Sequence, residues 1–142
     1  VQSTANWSDE DLETFADYTE QRLYEEYKGD VEVQPISVEG NRWQMIYSSP
    51  STEDRQIAGE VIEIAVGYGR FVADDFGYVD DSPPTGLDAT VHSDSEGQEI
   101  ASWKAETEWA VKTWDTLEIS YRDYQTLVLN TLEIKGRYPY EE

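Results

Sequence analysis

Cysteine is absent from the 142 residues, lysine occurs four times, and histidine and methionine occur once each. Without cysteine there is no disulfide, no thiolate nucleophile and no thiolate metal ligand, and the redox compartment stays open. The shortage of basic residues is the larger deficit. Ten Lys and Arg stand against 31 Asp and Glu, for a net charge of −21. Nucleic-acid binding needs a basic stripe to neutralise phosphates, and none exists. An anionic membrane surface is disfavoured on the same ground. No apolar run approaches the ~20 residues of a bilayer span, so no direct membrane insertion by this segment is expected. No G-x-S-x-G nucleophile elbow occurs, and a Ser-His-Asp arrangement could draw only on His92, which reads as a strand residue beside Val91. GYGRF sits inside a helical run and lacks the P-loop lysine, so no cofactor is expected.

Hydrophobic residues make up 38% of the chain, including five Trp and ten Tyr, which is enough for a real core. A chain of this length reads as one domain, burying roughly 70% of its unfolded surface. The acids are spread over every predicted element rather than gathered in a tail. Dispersed acids, scarce lysine (Lys28, Lys104, Lys112, Lys135) and many short side chains read as salt adaptation. Bulk K⁺ and Na⁺ then act as screening ions rather than bound ligands, because the Debye length falls to about 3 Å at molar salt.

Residues 1–7 read as a polar tether, 8–136 as a single α+β domain and 137–142 as a polar tail. The chain opens on Val1 without methionine and is expected to be a processed or trimmed form. Ser8-Asp9-Glu10-Asp11 has the chemistry of a capping box, and Leu12, Phe15, Ala16, Thr19, Leu23 and Tyr27 recur at helical spacing. VEVQPISVEGNRWQMIYSS alternates around Glu39-Gly40-Asn41, which predicts a hairpin, with Pro35 at an edge or a bulge. From Pro50 to about Asp74 an apolar pattern covers more than half a helix circumference, marking the central helix. Its Gly59, Gly67 and Gly69 each cost about 1 kcal/mol of helix propensity, a cost offset by close approach to a neighbour. LDATVHS and GQEIASWKAE predict a second hairpin. Glu106 to about Thr116 reads as helix, and Ser120 to Asp123 caps a last helix ending at Gly136. The expectation is a four-stranded antiparallel sheet from two helix-hairpin units, with helices packed on one face and a C-terminal helix pair.

Candidate sites are few. Asp74, Asp75, Asp80 and Asp81 could offer hard oxygen ligands to Ca²⁺ or Mg²⁺. Their spacing fits no EF-hand loop, and in so acidic a chain the favoured reading is a solvated loop stiffened by Pro83 and Pro84. Trp43, Trp103 and Trp109 are candidates for a carbohydrate platform, against the commoner use of tryptophan in a core. Asn6-Trp7-Ser8 is a glycosylation sequon if the protein is exported, although helix capping already accounts for Ser8.

An early acidic helix, RWQMIYSS, the glycine-containing helix EVIEIAVGYGRFV, LDATV, SWKAETEWA and an I-S-x-x-x-Y helix ending in NTLE follow in that order. The arrangement, over about Asp9 to Glu133, resembles uncharacterised α+β domains of haloarchaeal proteins, often lipoproteins. The resemblance implies an extracytoplasmic, cell-surface location with a lipid anchor upstream of this chain, which itself holds no cysteine for lipidation. It brings no catalytic residues.

The expected role is a non-enzymatic module for binding a ligand, protein or glycan, or for surface assembly as a homo-oligomer. The alternatives are a carbohydrate-active hydrolase using paired carboxylates, or a structural subunit of a filament or virus. Folding is expected to depend on salt. At about 0.01 M ionic strength, where the Debye length is about 30 Å, most carboxylate pairs across the molecule repel one another. Compaction gathers those charges, so screening favours the folded state, and the melting temperature is expected to rise steeply between that condition and about 2 M KCl. Mutual repulsion raises carboxyl pKa values in the folded state, which then binds more protons than the unfolded chain. Lowering the pH towards about 5 in low salt therefore substitutes in part for KCl. A melting temperature indifferent to KCl, followed by tryptophan fluorescence, would remove the salt-adapted reading.

Overall fold

The computed structural model describes residues 9–27, 32–49, 53–72, 84–93 and 98–134. The proposed tether, the tail, the acidic Pro-Gly loop and the second hairpin turn lie outside these residues. Helix α1 (Asp9–Tyr27) is followed by β1 (Ser37–Glu39), β2 (Arg42–Ser49), α2 (Asp54–Phe71), β3 (Gly86–Ser93) and β4 (Glu99–Glu106). A short α3 (Thr107–Ala110) runs on as a π-helical turn, Val111–Asp115, before α4 (Tyr121–Leu129) and β5 (Glu133–Ile134). No described helix is long and apolar enough to cross a membrane.

The fold is α+β, but the sheet has five strands in the order β1-β2-β3-β4-β5 and is mixed. This corrects the expected four antiparallel strands. The first hairpin forms as expected, with Gly40 and Asn41 both at φ near 60–70°, as a two-residue type I′ turn requires. The two hairpins then meet in parallel, with Arg42 opposite Gly86 through to Ser49 opposite Ser93. Length explains the geometry. The 18 residues of α2 rise about 27 Å, close to the ~26 Å of an eight-residue strand. Helix α2 therefore carries the chain back along the whole of β2, and β3 starts beside the start of β2.

The fifth strand replaces the end of the expected last helix. The Ser120–Asp123 capping box is present in both directions, at 3.0 and 3.2 Å. Helix α4 nevertheless stops at Leu129, where the Thr131 hydroxyl accepts from the Lys104 N–H at 2.9 Å and reaches the Val128 carbonyl at 2.7 Å. That side chain docks the turn onto β4, after which Leu132 and Ile134 are buried with a strand's period of two.

One face of the sheet meets the helices. Trp43, Met45 and Tyr47 of β2, Leu87, Ala89 and Val91 of β3, and Ala101, Trp103 and Ala105 of β4 are all buried there. Phe15 of α1 and Tyr68 of α2 close on Trp43 with ring centroids 5.7 Å away, the Tyr68 pair edge-to-face. The opposite face holds Arg42, Gln44, Ile46, Ser48, Asp88, Thr90, His92, Glu99, Ser102, Lys104 and Glu106, and no described helix packs on it.

Two glycines set how closely α2 sits. A Cβ at Gly69 would collide with the Trp114 ring and lie 2.8 Å from the Tyr124 hydroxyl. One at Gly67 would lie 2.8 Å from the Tyr18 ring. Tyr124 is fully buried and donates to the Ala65 carbonyl at 2.6 Å, whereas Tyr18 is half exposed. Gly69→Ala is therefore expected to destabilise by about 1–3 kcal/mol through overpacking, despite its gain in helix propensity. Gly67→Ala is expected to be near neutral, because Tyr18 can swing into solvent. Chemical denaturation of both variants checks this, and equal stabilities would remove the role assigned to Gly69.

Candidate functional site

The start of β2, the start of β3 and the end of β4 form one row, Arg42–Gly86–Glu106. Arg42 lies flat across Gly86, where a Cβ would stand 2.6–2.7 Å from its terminal nitrogens. The bare backbone lets the guanidinium reach both neighbours. Its Nε and Nη2 donate to Asp88 at 3.0 and 2.8 Å, and Nη1 and Nη2 donate to Glu106 at 3.0 and 3.2 Å. The Gln44 amide adds a bond to Asp88 at 3.0 Å. The hydrogen bond from Arg42 is the largest influence holding the Asp88 carboxyl below its ordinary range, and the same bond raises Arg42 further above its own. With its donors committed to two carboxylates, Arg42 clamps three strands and offers no fork to an incoming anion.

A second polar cluster lies inside the core. Glu60 of α2 has no exposed surface; the Gln56 amide donates to it at 3.2 Å and it shares a hydrogen bond with the Ser49 side chain. Among the described residues its Oε1 has no hydrogen-bond partner. Nearby, the Tyr47 hydroxyl accepts from the Trp103 indole at 3.1 Å. Burial pushes the Glu60 carboxyl up, because a charge there has lost its water, and only partly do Ser49 and Gln56 offset this. Burial likewise raises the Tyr47 hydroxyl. A raised carboxyl in an open groove would suit a general acid, but this one is sealed from substrate.

The third feature is open. Between α1 and the segment leading into β1 lies a cleft of about 480 Å³, with Leu12, Ala16 and Ile36 as its apolar floor. Val33 and Pro35 form one wall, and Glu13 and Asp17, one turn apart on α1, form the acidic rim. The wall is closed to strand pairing. Gln34 N–H bonds inward to the Ile46 carbonyl at 2.9 Å, while Val33 N–H is taken by the Glu20 carboxylate at 2.7 Å and Pro35 has no N–H. An edge so blocked resists adding a further strand.

The sequence-derived candidates fall elsewhere. Trp43 is fully buried and Trp103 only 3% exposed, so neither presents a ring face to a glycan, and Trp109 packs half-buried against the core. The strand tryptophans and Tyr47 all alternate onto the helix-covered side. His92 lies half-buried on the open sheet face. Asp74, Asp75, Asp80, Asp81 and Asn6 lie outside the described residues, and among those described no group of three or more His, Asp or Glu gathers to hold a metal. Sequence reasoning missed Arg42, Asp88 and Glu60. A signal for Glu60 was present, since it falls three residues after Ile57 and four before Ile64 on the apolar face of α2. Nothing local marks Arg42 and Asp88, which are brought together only by the parallel pairing.

A domain of unknown function (DUF8159) matches residues 9–137 of the chain. No curated protein and no solved structure shows a significant match.

Glu60 generates a pH prediction. Its folded pKa lies above the ordinary 4.5, so the folded state holds a proton that the unfolded chain releases. Stability from this group is full below the unfolded value and declines as pH rises through the raised folded value. Glu60→Gln keeps the shape and the amide partner while removing the titration. The variant is expected to gain on the parent as pH rises from about 5 to about 8, by about 1.4 kcal/mol for each unit by which burial raises the carboxyl. Parallel melting curves for the two proteins would show that Glu60 is ionised and satisfied in the fold.

Proposed function

The chain belongs to the DUF8159 family, and from that premise we propose that it works as a non-catalytic, salt-adapted binding module on the outside of a haloarchaeal cell. The cleft beside α1 takes an apolar segment carrying positive charge. The observation that carries this reading is the pairing of an apolar floor, Leu12, Ala16 and Ile36, with the Glu13 and Asp17 rim in a cleft of about 480 Å³. That volume lies within the range of ligand sites, roughly 300–1,000 Å³. The floor supplies affinity that survives molar salt, where charge attraction is short-ranged. The rim supplies preference for a cation over an anion at contact distance. Because the wall is blocked by Glu20 and Pro35, the partner is held by its side chains and not as an added strand. The glycan-hydrolase alternative loses its stacking platform with Trp43 and Trp103 in the core.

The test is an amide-resolved NMR titration in about 1 M KCl with a short Leu/Lys peptide and its Leu/Glu counterpart. The Leu/Lys peptide is expected to move the signals of Leu12, Ala16, Val33 and Ile36 and to bind more tightly than the Leu/Glu peptide. Pro35→Glu, on the exposed wall, is expected to weaken apolar contact by about tenfold, roughly 1.4 kcal/mol. Shifts scattered over the surface, or none, would sink the cleft as a binding site.

A further inference from the structure

Residues 135–142, KGRYPYEE, follow β5 directly and lie outside the described residues. Lys135 and Arg137 are the closest pair of cations in a sequence that sets ten bases against 31 acids. Tyr138, Pro139 and Tyr140 come next, and the first carboxylate, Glu141, stands four residues beyond Arg137. No other stretch of the chain joins two cations to ring side chains without an acid among them. The cleft beside α1 has the opposite character. Its described lining holds two carboxylates, Glu13 and Asp17, and no cation. Neither carboxylate forms an ion pair among the described residues. Glu20 adds a third acid, accepting from the Val33 N–H of the wall at 2.7 Å. Arg22, the one cation on α1, pairs instead with Glu63 of α2 at 3.0 Å.

We propose that the cleft takes residues 135–140 of a second copy of the chain, with Tyr138 and Tyr140 on the apolar floor and Lys135 and Arg137 at the acidic rim. The proposal rests on the reading of the cleft as a site for an apolar, cationic segment, and it names the occupant. Alternate residues of an extended segment share a side, which puts the two cations on one side and the two tyrosines on the other. The spacing agrees as well. Glu13 and Asp17 rise about 6 Å along α1, close to the ~6.6 Å between alternate extended residues. A segment held by its side chains loses no pairing at Pro139, which has no N–H to give. The chain cannot fill its own cleft in this way. Ile134, Ala101, Val91, Tyr47 and Val33 stand in one row across the sheet. Four strand spacings separate Ile134 from Val33, about 19 Å. Tyr138, four residues past Ile134, reaches at most about 14 Å, and the helices covering the sheet lengthen the path. The occupant therefore comes from another copy. Cleft and segment are different patches, so the contact is heterologous and adds copies head to tail. Molar salt screens the repulsion between the acidic bodies so joined.

Diluting the full chain from about 1 mM to about 0.05 mM in about 2 M KCl is expected to move the amide signals of Leu12, Ala16, Val33 and Ile36 together with those of Arg137 and Tyr138. Replacing both cations, Lys135→Glu with Arg137→Glu, is expected to raise the self-dissociation constant by about tenfold or more. Replacing both rings, Tyr138→Ser with Tyr140→Ser, is expected to do the same. Circular dichroism checks that each variant keeps the fold. A mixture gives the sharpest readout. A copy with Pro35→Glu keeps its segment but has a weakened cleft, and a copy with Lys135→Glu and Arg137→Glu has the reverse. Each is expected to sediment as a monomer alone, and the two together as a one-to-one dimer that grows no further. Cleft signals that ignore dilution overturn the proposal, as does a mixture that stays monomeric or variants that associate like the parent. If the Leu/Lys peptide still moves the cleft signals in that case, the cleft stands as a binding site for another partner; if it does not, both readings fall. Cleft signals that change with Trp7→Ala but not with dilution would give the cleft to residues 1–8 of the same chain and overturn the proposal as well.

Discussion

The arrangement of this domain depends on one close approach. Helix α2 lies against α4 at a separation that no side chain could share, with the bare Cα of Gly69 beneath Trp114 and the Tyr124 hydroxyl. Tyr124 then hydrogen-bonds the Ala65 carbonyl one turn away, and its ring meets Trp114 edge-on at 4.8 Å. Held there, α2 spans the sheet and returns the chain to the start of β2. The parallel β2–β3 pair follows from that return. So does the Arg42–Gly86–Glu106 row, since a slip of one residue would turn Arg42 or Gly86 away from the shared face.

Two carboxylates show how burial sorts identical chemistry. Asp88 meets a forked guanidinium at the sheet's surface and is held ionised below its ordinary range. Glu60, one face away in the core, has an amide and a hydroxyl for partners and is pushed up by lost solvation. The first ties strands together across an open face. The second places a polar group under α2, in a core that also holds the Tyr47–Trp103, Tyr68–Thr107 and Tyr124–Ala65 hydrogen bonds. Between them they span the range open to acids in a chain that carries 31.

Charge is distributed by a similar logic on a larger scale. Acids dominate the helices and loops, where self-repulsion is relieved by screening. The sheet face on which no described helix packs mixes Arg42 and Lys104 with Asp88, Glu99 and Glu106, and the tryptophans and Tyr47 of the sheet all turn to the other side. A face without tryptophan or tyrosine rings is poorly built for stacking a sugar. The blocked edge at Val33 and Pro35 directs contacts to broad faces and clefts and away from open-ended strand addition.

The sequence by itself determined the element list and the class. Periods of 3.6 and 2 placed α1, α2, both hairpins and the capped α4, because those signals are local and need only the residues within one or two turns. The Gly40-Asn41 turn and the Ser120–Asp123 box are legible for the same reason. Tertiary structure alone decided that the hairpins join in parallel, because the choice rests on the length of α2 against the length of β2. It decided too that the chain after Leu129 becomes a fifth strand, because the Thr131 hydroxyl finds the Lys104 backbone. Arg42, Asp88 and Glu106 lie 46 and 64 positions apart, and no local pattern could have joined them. The tryptophans were readable as aromatic payload but not as core or surface, since a strand's period of two says which residues share a face and leaves to packing which face is covered.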